Sequence, residues 1–194
     1  SVMSAMGYGN FTPTDLKNFM AGKTLSLHNS FDELSSSISG SSSISDFETL
    51  LQYNYLMLTS PRRDDDLYKG YLSKQKAQLM FLSQNPTYAF IDTLFKSVYN
   101  NDPRAPIVIP TAADFDKINL DRVLEIYKNE LGNAQGFHYF IVGNVDLNTI
   151  KPLIEKYIGS LPASGNAPAI KDNGLRPVTG NHRLDIHKGS EPKS

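Results

Sequence analysis

Apolar residues recur at helical spacing along most of the chain, and the residues between these stretches mark helix ends. Residues 12–15 (Thr-Pro-Thr-Asp) combine an N-cap hydroxyl, a proline at the first helical position and an acid at the third, and they predict a short helix that stops at Gly22. Further helices are predicted from Phe47 to the residue before Pro61, from the aspartates at 64–66 to Asn85, from Pro86 to about Val98, and after Asn119.

Two of these helices carry well-defined apolar stripes that predict their buried faces. On the helix before Pro61 the stripe consists of Phe47, Leu50, Leu51, Tyr55 and Leu58. On the helix that opens with Pro86 it consists of Phe90, Ile91, Leu94, Phe95 and Val98.

Polar and apolar residues alternate in the first third of the chain. Residues 24–31 and 34–42 show this pattern and predict two antiparallel strands. The serine-rich tract 35–45 could instead be a flexible linker. Its isolated apolar residues and the capping-box sequence of residues 45–48 (Ser-Asp-Phe-Glu) favour a strand, a turn and a helix cap.

A strand, a tight turn and an amphipathic helix are predicted within residues 137–162. The aromatic and β-branched run from Phe137 ends at Gly143 and Asn144, and apolar residues return at helical spacing from Leu147 to Tyr157. Residues 163–180 are rich in Pro, Gly and Asn and predict a linker. Residues 182–187 (His-Arg-Leu-Asp-Ile-His) alternate and predict one last strand.

The order of elements predicts an α+β fold, with helices packed on one face of a mostly antiparallel sheet. We expect residues 1–162 to form an α+β domain that is truncated at its N-terminus, because the chain opens inside a helical pattern. Residues 163–180 would be the linker, and residues 181–194 the truncated start of a following domain.

Composition excludes several classes of function. The formal net charge of -1 and the lack of a Lys/Arg cluster give no attraction to nucleic acid. The chain has no cysteine, so it has neither disulfides nor thiolate zinc ligands. No apolar run approaches the roughly 20 residues that a membrane span requires, and the first ten residues do not resemble a signal peptide.

Few residues suggest chemistry on their own. The aspartates at 64–66 could bind a divalent metal, but consecutive helical side chains diverge, and an acidic helix N-terminus explains them better. His182 and His187 would be the closest histidine pair, yet this spacing does not favour shared ligation of a metal. No serine has the sequence context of a catalytic nucleophile.

The combined motifs resemble the pitrilysin/insulinase family of zinc metallopeptidases. The resemblance starts from the strand-turn-helix unit 137–162, with its Val-Gly-Asn-Val-Asp turn and Leu-Pro ending. It extends to residues 7–16 with Ala-Gly-Lys at 21–23, the helix of residues 46–61, Asn-Pro at 85–86, Asp-Pro-Arg at 102–104, and residues 114–118. The family fold would be α+β, as the element order also predicts.

The resemblance implies that the chain is a non-catalytic homologous half of such an enzyme. The active half carries an inverted His-x-x-Glu-His motif and a later glutamate, which bind zinc and activate water. In this chain Ser1 would stand at the motif's glutamate, Val2 at its last histidine, and Tyr71 at the third ligand. No catalytic or metal-binding residue is therefore assigned, and the substrate-binding residues stay unknown.

The resemblance also implies partners and a role. We expect a substrate-enclosing segment of a zinc metalloendopeptidase that acts on peptides, inactive alone and paired with a zinc-bearing catalytic half in the same polypeptide or in a partner subunit. A non-proteolytic scaffold, like the related core proteins of respiratory complexes, and a free-standing binding module are the alternatives. Similar proteins suggest a bacterial periplasmic or envelope location.

Overall fold

The computed structural model describes residues 2–32, 35–167, 169 and 172–186. This part of the chain contains two strands and eight helices, and the predicted α+β class is confirmed. The strands are β1 (Leu25–Phe31) and β2 (Ser36–Ser42). The helices are α1 (Val2–Met6), α2 (Pro13–Phe19), α3 (Phe47–Thr59), α4 (Asp65–Gln84), α5 (Pro86–Val98), α6 (Ala112–Asp116), α7 (Leu120–Leu131) and α8 (Leu147–Tyr157).

The chain divides into two compact units. Unit one consists of Ser1–Tyr68 and Asn119–Ile170, and unit two consists of Lys69–Ile118 and Lys171–Ser194. The first turn of α4 belongs to unit one and the rest of that helix to unit two.

Unit one is built around α3. This helix lies on the β1–β2 hairpin and against α8, so a helix covers one face of the sheet. Three methionines are among its most buried side chains, with Met3 and Met6 on α1 and Met57 on α3. Their flexible side chains suit the irregular space between short elements.

The hairpin shows how the serine-rich tract forms a strand. β1 and β2 pair antiparallel, with Leu27 opposite Gly40 and Ser26 opposite Ser41, whose hydroxyls lie 3.0 Å apart. A Cβ at position 40 would come within 2.8 Å of the Ser26 carbonyl oxygen and 3.2 Å of a Leu50 methyl on α3. Glycine at this register position therefore lets the helix lie close to the strands.

Unit two contains local ring and hydrogen-bond contacts in its described part. The rings of Phe95 and Tyr99 stack with centroids 6.2 Å apart at the end of α5. Val178 N–H donates to the Val98 carbonyl over 2.7 Å, and this bond attaches the 172–179 segment to α5. Thr111 and Asp114 form a complete capping box at the start of α6.

The predicted capping box at residues 45–48 is wrong. α3 begins one residue later, with Asp46 as N-cap and no side-chain cap hydrogen bond. The Asp46 carboxylate instead accepts from the Ser43 hydroxyl at 2.7 Å and from Thr24 N–H at 2.9 Å. These bonds, the Ser43 hydroxyl first, lower the pKa of Asp46. The carboxylate links the start of β1 to the start of α3, a contact that local spacing does not reveal.

The predicted strand at 137–142 is also wrong, although its residues run without helix, turn or bend. No backbone N–H or C=O of residues 138–142 is hydrogen-bonded to another described residue. A strand exists only through a neighbouring strand, and in the described chain β1 pairs only with β2.

Two further expectations fail for a related reason. Phe90 and Leu94 on α5 are 53% and 42% exposed, because the described part of unit two offers too little surface to cover this helix. Residues 182–186 form no strand with any described residue, and His187 lies outside the described residues. Leu34 and Ser1 also lie outside them.

Candidate functional site

A groove of about 640 Å³ lies in unit one. It runs between the β1–β2 hairpin, α3, residues 139–146 and the first turns of α8. Most of its wall is apolar. The apolar lining comes from Leu27 and Ile38 on the hairpin, Leu50 and Leu51 on α3, Tyr139, Phe140, Ile141 and Val142 on the unpaired segment, and Ile150 and Leu153 on α8.

One buried amide faces this groove. Asn54 on α3 is 5% exposed and lines the groove. Its Nδ2 is buried. Burial raises the pKa of the nearby Tyr139 hydroxyl, and the Asn54 amide partly opposes that shift.

A polar cluster lies at the Glu48 end of the groove. The Tyr157 hydroxyl donates to Glu48 Oε1 at 2.7 Å, and Lys156 Nζ donates to the same oxygen at 3.2 Å. The Tyr157 hydroxyl also accepts from Gln52 Nε2 at 3.0 Å. The hydrogen bond from Tyr157, followed by that from Lys156, lowers the pKa of Glu48. Glu48 is thus held ionised, and its charge is already matched.

A second, smaller pocket of about 310 Å³ lies on another side of unit one. Its lining is almost wholly apolar and comes from α2, α3 and Tyr157. Phe11 and Phe19 form its outer part, with ring centroids 6.5 Å apart. This pocket offers shape and apolar surface but few polar groups that could orient a ligand or support a reaction.

Three tyrosines from distant parts of the sequence gather in the core of unit one. The rings of Tyr8 and Tyr53 meet edge to face, 6.0 Å apart. The Tyr127 hydroxyl donates to the Met57 carbonyl at 3.0 Å. Burial raises the pKa of Tyr53 to about 12 and raises that of Tyr127 further. Each of the three is more than 40 residues from at least one of the others in sequence, so the core of unit one joins distant parts of the chain.

The positions expected to correspond to the zinc motif offer no typical zinc ligand. Val2 is a half-buried aliphatic residue on α1, in unit one, and it has no ligand atom. Tyr71 is a half-buried residue on α4, in unit two, and offers only a phenol. Among the described residues, no three His, Cys, Asp or Glu side chains cluster so that they could hold a metal.

The aspartates at 64–66 mark the start of α4. Asp64 accepts from Leu67 N–H at 3.0 Å and from Arg62 at 2.8 Å, and the Leu67 bond is the first cause of its lowered pKa. Asp65 pairs with Arg63 at 3.1 Å. These contacts agree with the interpretation of the triplet as a helix N-terminus.

The described histidines do not form a site. His28 on β1 and His138 are exposed. His182 Nε2 lies 3.0 Å from the Thr179 carbonyl, a neighbour in sequence.

Comparison with known proteins finds a family match in the C-terminal part of the chain. Residues 117–194 match the family model described as the Peptidase M16 inactive domain, the class to which pitrilysin and insulinase-like peptidases belong. This part of the chain is therefore similar to the M16 inactive domain. The predicted resemblance, including the non-catalytic character of the matching domain, is confirmed.

Among curated proteins, the chain is similar to the probable zinc protease PqqL of Escherichia coli strain K12. The two are 22% identical over 193 residues, which are 98% of this chain and 20% of PqqL. The chain therefore spans about one fifth of that relative's length.

Solved structures show the same fold. The periplasmic protease PqqL from Escherichia coli superposes with a TM-score of 0.70 at 19% identity, over 93% of this chain and 19% of that one. A peptidase M16 inactive domain from Pseudomonas fluorescens superposes with a TM-score of 0.68 at 16% identity, over 87% of this chain and 41% of that one. No described helix is both long and apolar enough to cross a membrane.

Proposed function

We propose that residues 1–194 are a non-catalytic, substrate-enclosing segment of a zinc metalloendopeptidase. The observation that carries this proposal is the match of residues 117–194 to the inactive domain of M16 peptidases. Residue chemistry supports it, because Val2 and Tyr71 replace the imidazole and carboxylate that zinc would need. Zinc would be held by the catalytic half, where it would acidify a bound water.

The segment would contribute a wall of the chamber around a peptide and an interface with the catalytic half. That half would lie in the same polypeptide or in a partner subunit. A periplasmic or envelope location stays a prediction; it matches the description of PqqL as a periplasmic protease.

Metal analysis tests the proposal. Residues 1–194 and the longer polypeptide or complex that carries the catalytic half would be purified side by side without added metal, and zinc and peptide hydrolysis measured on each. We expect about one zinc per catalytic half, with hydrolysis, and neither in residues 1–194 alone.

The other outcomes separate the alternatives. Zinc and hydrolysis absent from both samples would favour the scaffold hypothesis over the peptidase. Stoichiometric zinc on residues 1–194 would contradict the proposal and would show that the correspondence at Val2 and Tyr71 is misplaced. An alanine variant of Asp64, a capping carboxylate, serves as a control for adventitious zinc on acidic side chains.

A further inference from the structure

The turn at residues 172–175 contains the one Asn-Gly pair of the sequence. Asn173 and Gly174 are both exposed, and Gly174 has a φ of +75°. Asparagine is a chemically labile residue, and glycine after it has no side chain to shield the peptide nitrogen that can attack the asparagine amide. The pair therefore makes this turn a candidate for covalent modification.

A hydrogen bond directs the Asn173 side chain toward the peptide bond that follows it. Leu175 N–H donates to Asn173 Oδ1 at 2.8 Å, which is the bond of an Asx turn. Attack on the side-chain carbonyl carbon would move negative charge onto this same oxygen. The Leu175 N–H is thus already placed where a donor stabilises the charge that develops.

A guanidinium contacts the peptide group that would act as the nucleophile. Arg104 Nη1 donates to the Asn173 carbonyl oxygen, which belongs to the same peptide group as the Gly174 nitrogen. Asp102 holds this guanidinium, because its Oδ1 accepts from Arg104 Nε at 2.9 Å. When the Gly174 nitrogen loses its proton, negative charge spreads to the carbonyl oxygen through peptide resonance. The positive charge of Arg104 therefore favours loss of the proton.

A carboxylate accepts the hydrogen of the same nitrogen. Gly174 N–H donates to Asp172 Oδ1 at 2.8 Å, and Arg176 Nη1 donates to that oxygen at 2.9 Å. The hydrogen bond from Arg176 is the first cause that lowers the pKa of Asp172 to about 2. Asp172 is thus ionised at neutral pH and can relay the proton from the Gly174 nitrogen to water.

We propose that Asn173 and Gly174 form a self-modifying site, at which the fold promotes conversion of Asn173 to a cyclic succinimide and then to isoaspartate and aspartate. The Gly174 nitrogen loses its proton and bonds to Asn173 Cγ, and the Cγ–Nδ2 bond breaks to release ammonia, which leaves with the proton. Water then adds to one of the two carbonyl carbons of the ring and breaks the bond from that carbon to the Gly174 nitrogen. Water is the one other reactant, and the inference does not rest on the proposed function.

The products change both the charge and the backbone of the turn. Either product adds one carboxylate to a chain whose formal net charge is -1. In isoaspartate the main chain runs through Cγ, and the former main-chain carbonyl of Asn173 becomes a free carboxylate beside Arg104. A guanidinium binds a carboxylate more strongly than a neutral carbonyl, so the turn favours isoaspartate. The longer backbone would also displace the segment that Val178 attaches to Val98 of α5.

Ageing of the folded chain tests the proposal. Residues 1–194 would be kept at neutral pH for several weeks in water enriched in heavy oxygen, then digested in ordinary water and analysed by mass spectrometry. We expect Asn173 to take up heavy oxygen, with isoaspartate as the main product and aspartate as the second. Direct hydrolysis of the amide would give aspartate alone, so isoaspartate identifies the cyclic route.

Asn29 and Ser30 provide a control within the chain. Serine is also small, so this pair would be open to the same reaction in an unfolded chain. In the folded chain Asn29 Nδ2 is buried and β1 is paired with β2. We expect Asn29 to stay unmodified while Asn173 reacts.

The same chain unfolded in guanidinium chloride separates the effect of the fold from that of the sequence. The Asn-Gly pair remains there, but the contacts of Arg104 and Leu175 are lost. We expect Asn173 to react about 10-fold faster in the folded chain, which is the effect on a barrier of about one hydrogen bond to a charged group.

Variants of Arg104 test the part played by its charge. Arg104→Gln removes the charge and should slow the reaction about 10-fold. Arg104→Lys keeps the charge and should retain most of the rate, and circular dichroism checks that both variants are folded. Arg183→Gln is the matched control, because the exposed Arg183 pairs with Asp185 and should not affect the rate.

Four results would overturn the proposal. These are an unmodified Asn173 after ageing, aspartate without isoaspartate, a rate in the unfolded chain that equals or exceeds the folded rate, and an equal loss of rate in the glutamine and lysine variants of Arg104. The last result would assign the effect to the shape of the turn instead of to charge. Zinc and peptide hydrolysis are not among these measurements, so failure here is distinguishable from failure of the peptidase proposal.

Discussion

At the scale of single residues, Tyr127 supplies a hydrogen-bond donor to a distant part of the chain. The Met57 carbonyl lies in the last turn of α3, where its helical partner would be the N–H of residue 61. That residue is Pro61, which has no N–H. The Tyr127 hydroxyl on α7 donates to this carbonyl instead.

Removal of the Tyr127 hydroxyl should destabilise the folded state. We expect Tyr127→Phe to lower the free energy of unfolding by about 1–3 kcal/mol, because a buried carbonyl loses its only described donor. Urea denaturation followed by circular dichroism measures the change. The exposed Tyr88 provides the control, since Tyr88→Phe should change the free energy of unfolding by less than about 0.5 kcal/mol. Equal effects of the two variants would contradict this role.

Sequence reasoning could predict only half of this contact. Helical spacing places Tyr127 on the apolar face of α7, and Pro61 marks the end of α3. The two are 66 positions apart, and no local pattern indicates that a hydroxyl from one helix reaches the other. The burial of Asn54 on α3 could not be predicted either, because asparagine is usually a surface residue.

At the scale of elements, the caps are the best-predicted features. Thr12 accepts from Asp15 N–H at 3.2 Å, and Asp15 accepts from Thr12 N–H at 2.9 Å, as the residues at 12–15 predict. The Thr12 hydroxyl is also the first cause of the lowered pKa of Asp15. Everything that this motif needs lies within four residues, so sequence alone is sufficient.

We expect Thr12→Ala to destabilise unit one by about 1 kcal/mol, since α2 loses its capping oxygen. Thr12→Ser keeps the oxygen and should retain most of the stability. Chemical denaturation of the two variants beside the original chain measures the difference. If serine and alanine were equally destabilising, packing of the threonine methyl group would be the cause, and the capping role would be disproved.

Strands were less predictable than helices because their partners need not be near in sequence. β1 and β2 are joined by a short connection, and alternation with a turn was enough to place them. The 137–142 segment has stronger strand character, with aromatic and β-branched residues, yet no described neighbour pairs with it. Strand propensity describes the backbone conformation that a residue favours, whereas a hydrogen-bonded β-ladder also requires a neighbouring strand.

At the scale of the whole molecule, ionised carboxylates should set the response to acid. The pKa values of Asp102, Asp114 and Asp172 are each lowered to about 2, mainly by Arg104, Thr111 and Arg176 respectively. A lowered folded-state pKa adds stability above the unfolded value of about 4, and that stability is lost as pH falls toward the folded value.

We therefore expect stability to stay level above about pH 5 and to fall as pH drops from about 4 toward 2. Denaturation midpoints measured across this range check the result. Arg176→Gln removes the partner of Asp172 and should make the decline shallower. A midpoint independent of pH down to about 2 would contradict the prediction.

The family and the α+β class could be predicted from motifs spread over most of the chain. The division into units could not, because Asn119–Ile170 joins the N-terminal residues across an intervening segment. The predicted boundaries at residues 162 and 180 stay a prediction. Apolar spacing reveals which face of a helix is buried, but it does not reveal which distant segment buries it.

The lack of a side chain at Gly40 limits which substitutions β2 can accept during evolution. Serine is the commonest residue on β2, and most of that strand's exposed positions should tolerate exchange for other small polar residues. At position 40 even one methyl group would press on Leu27, on a backbone oxygen and on α3 at once. A deep mutational scan should therefore find position 40 intolerant of every side chain, whereas the exposed serines of β2 accept exchange.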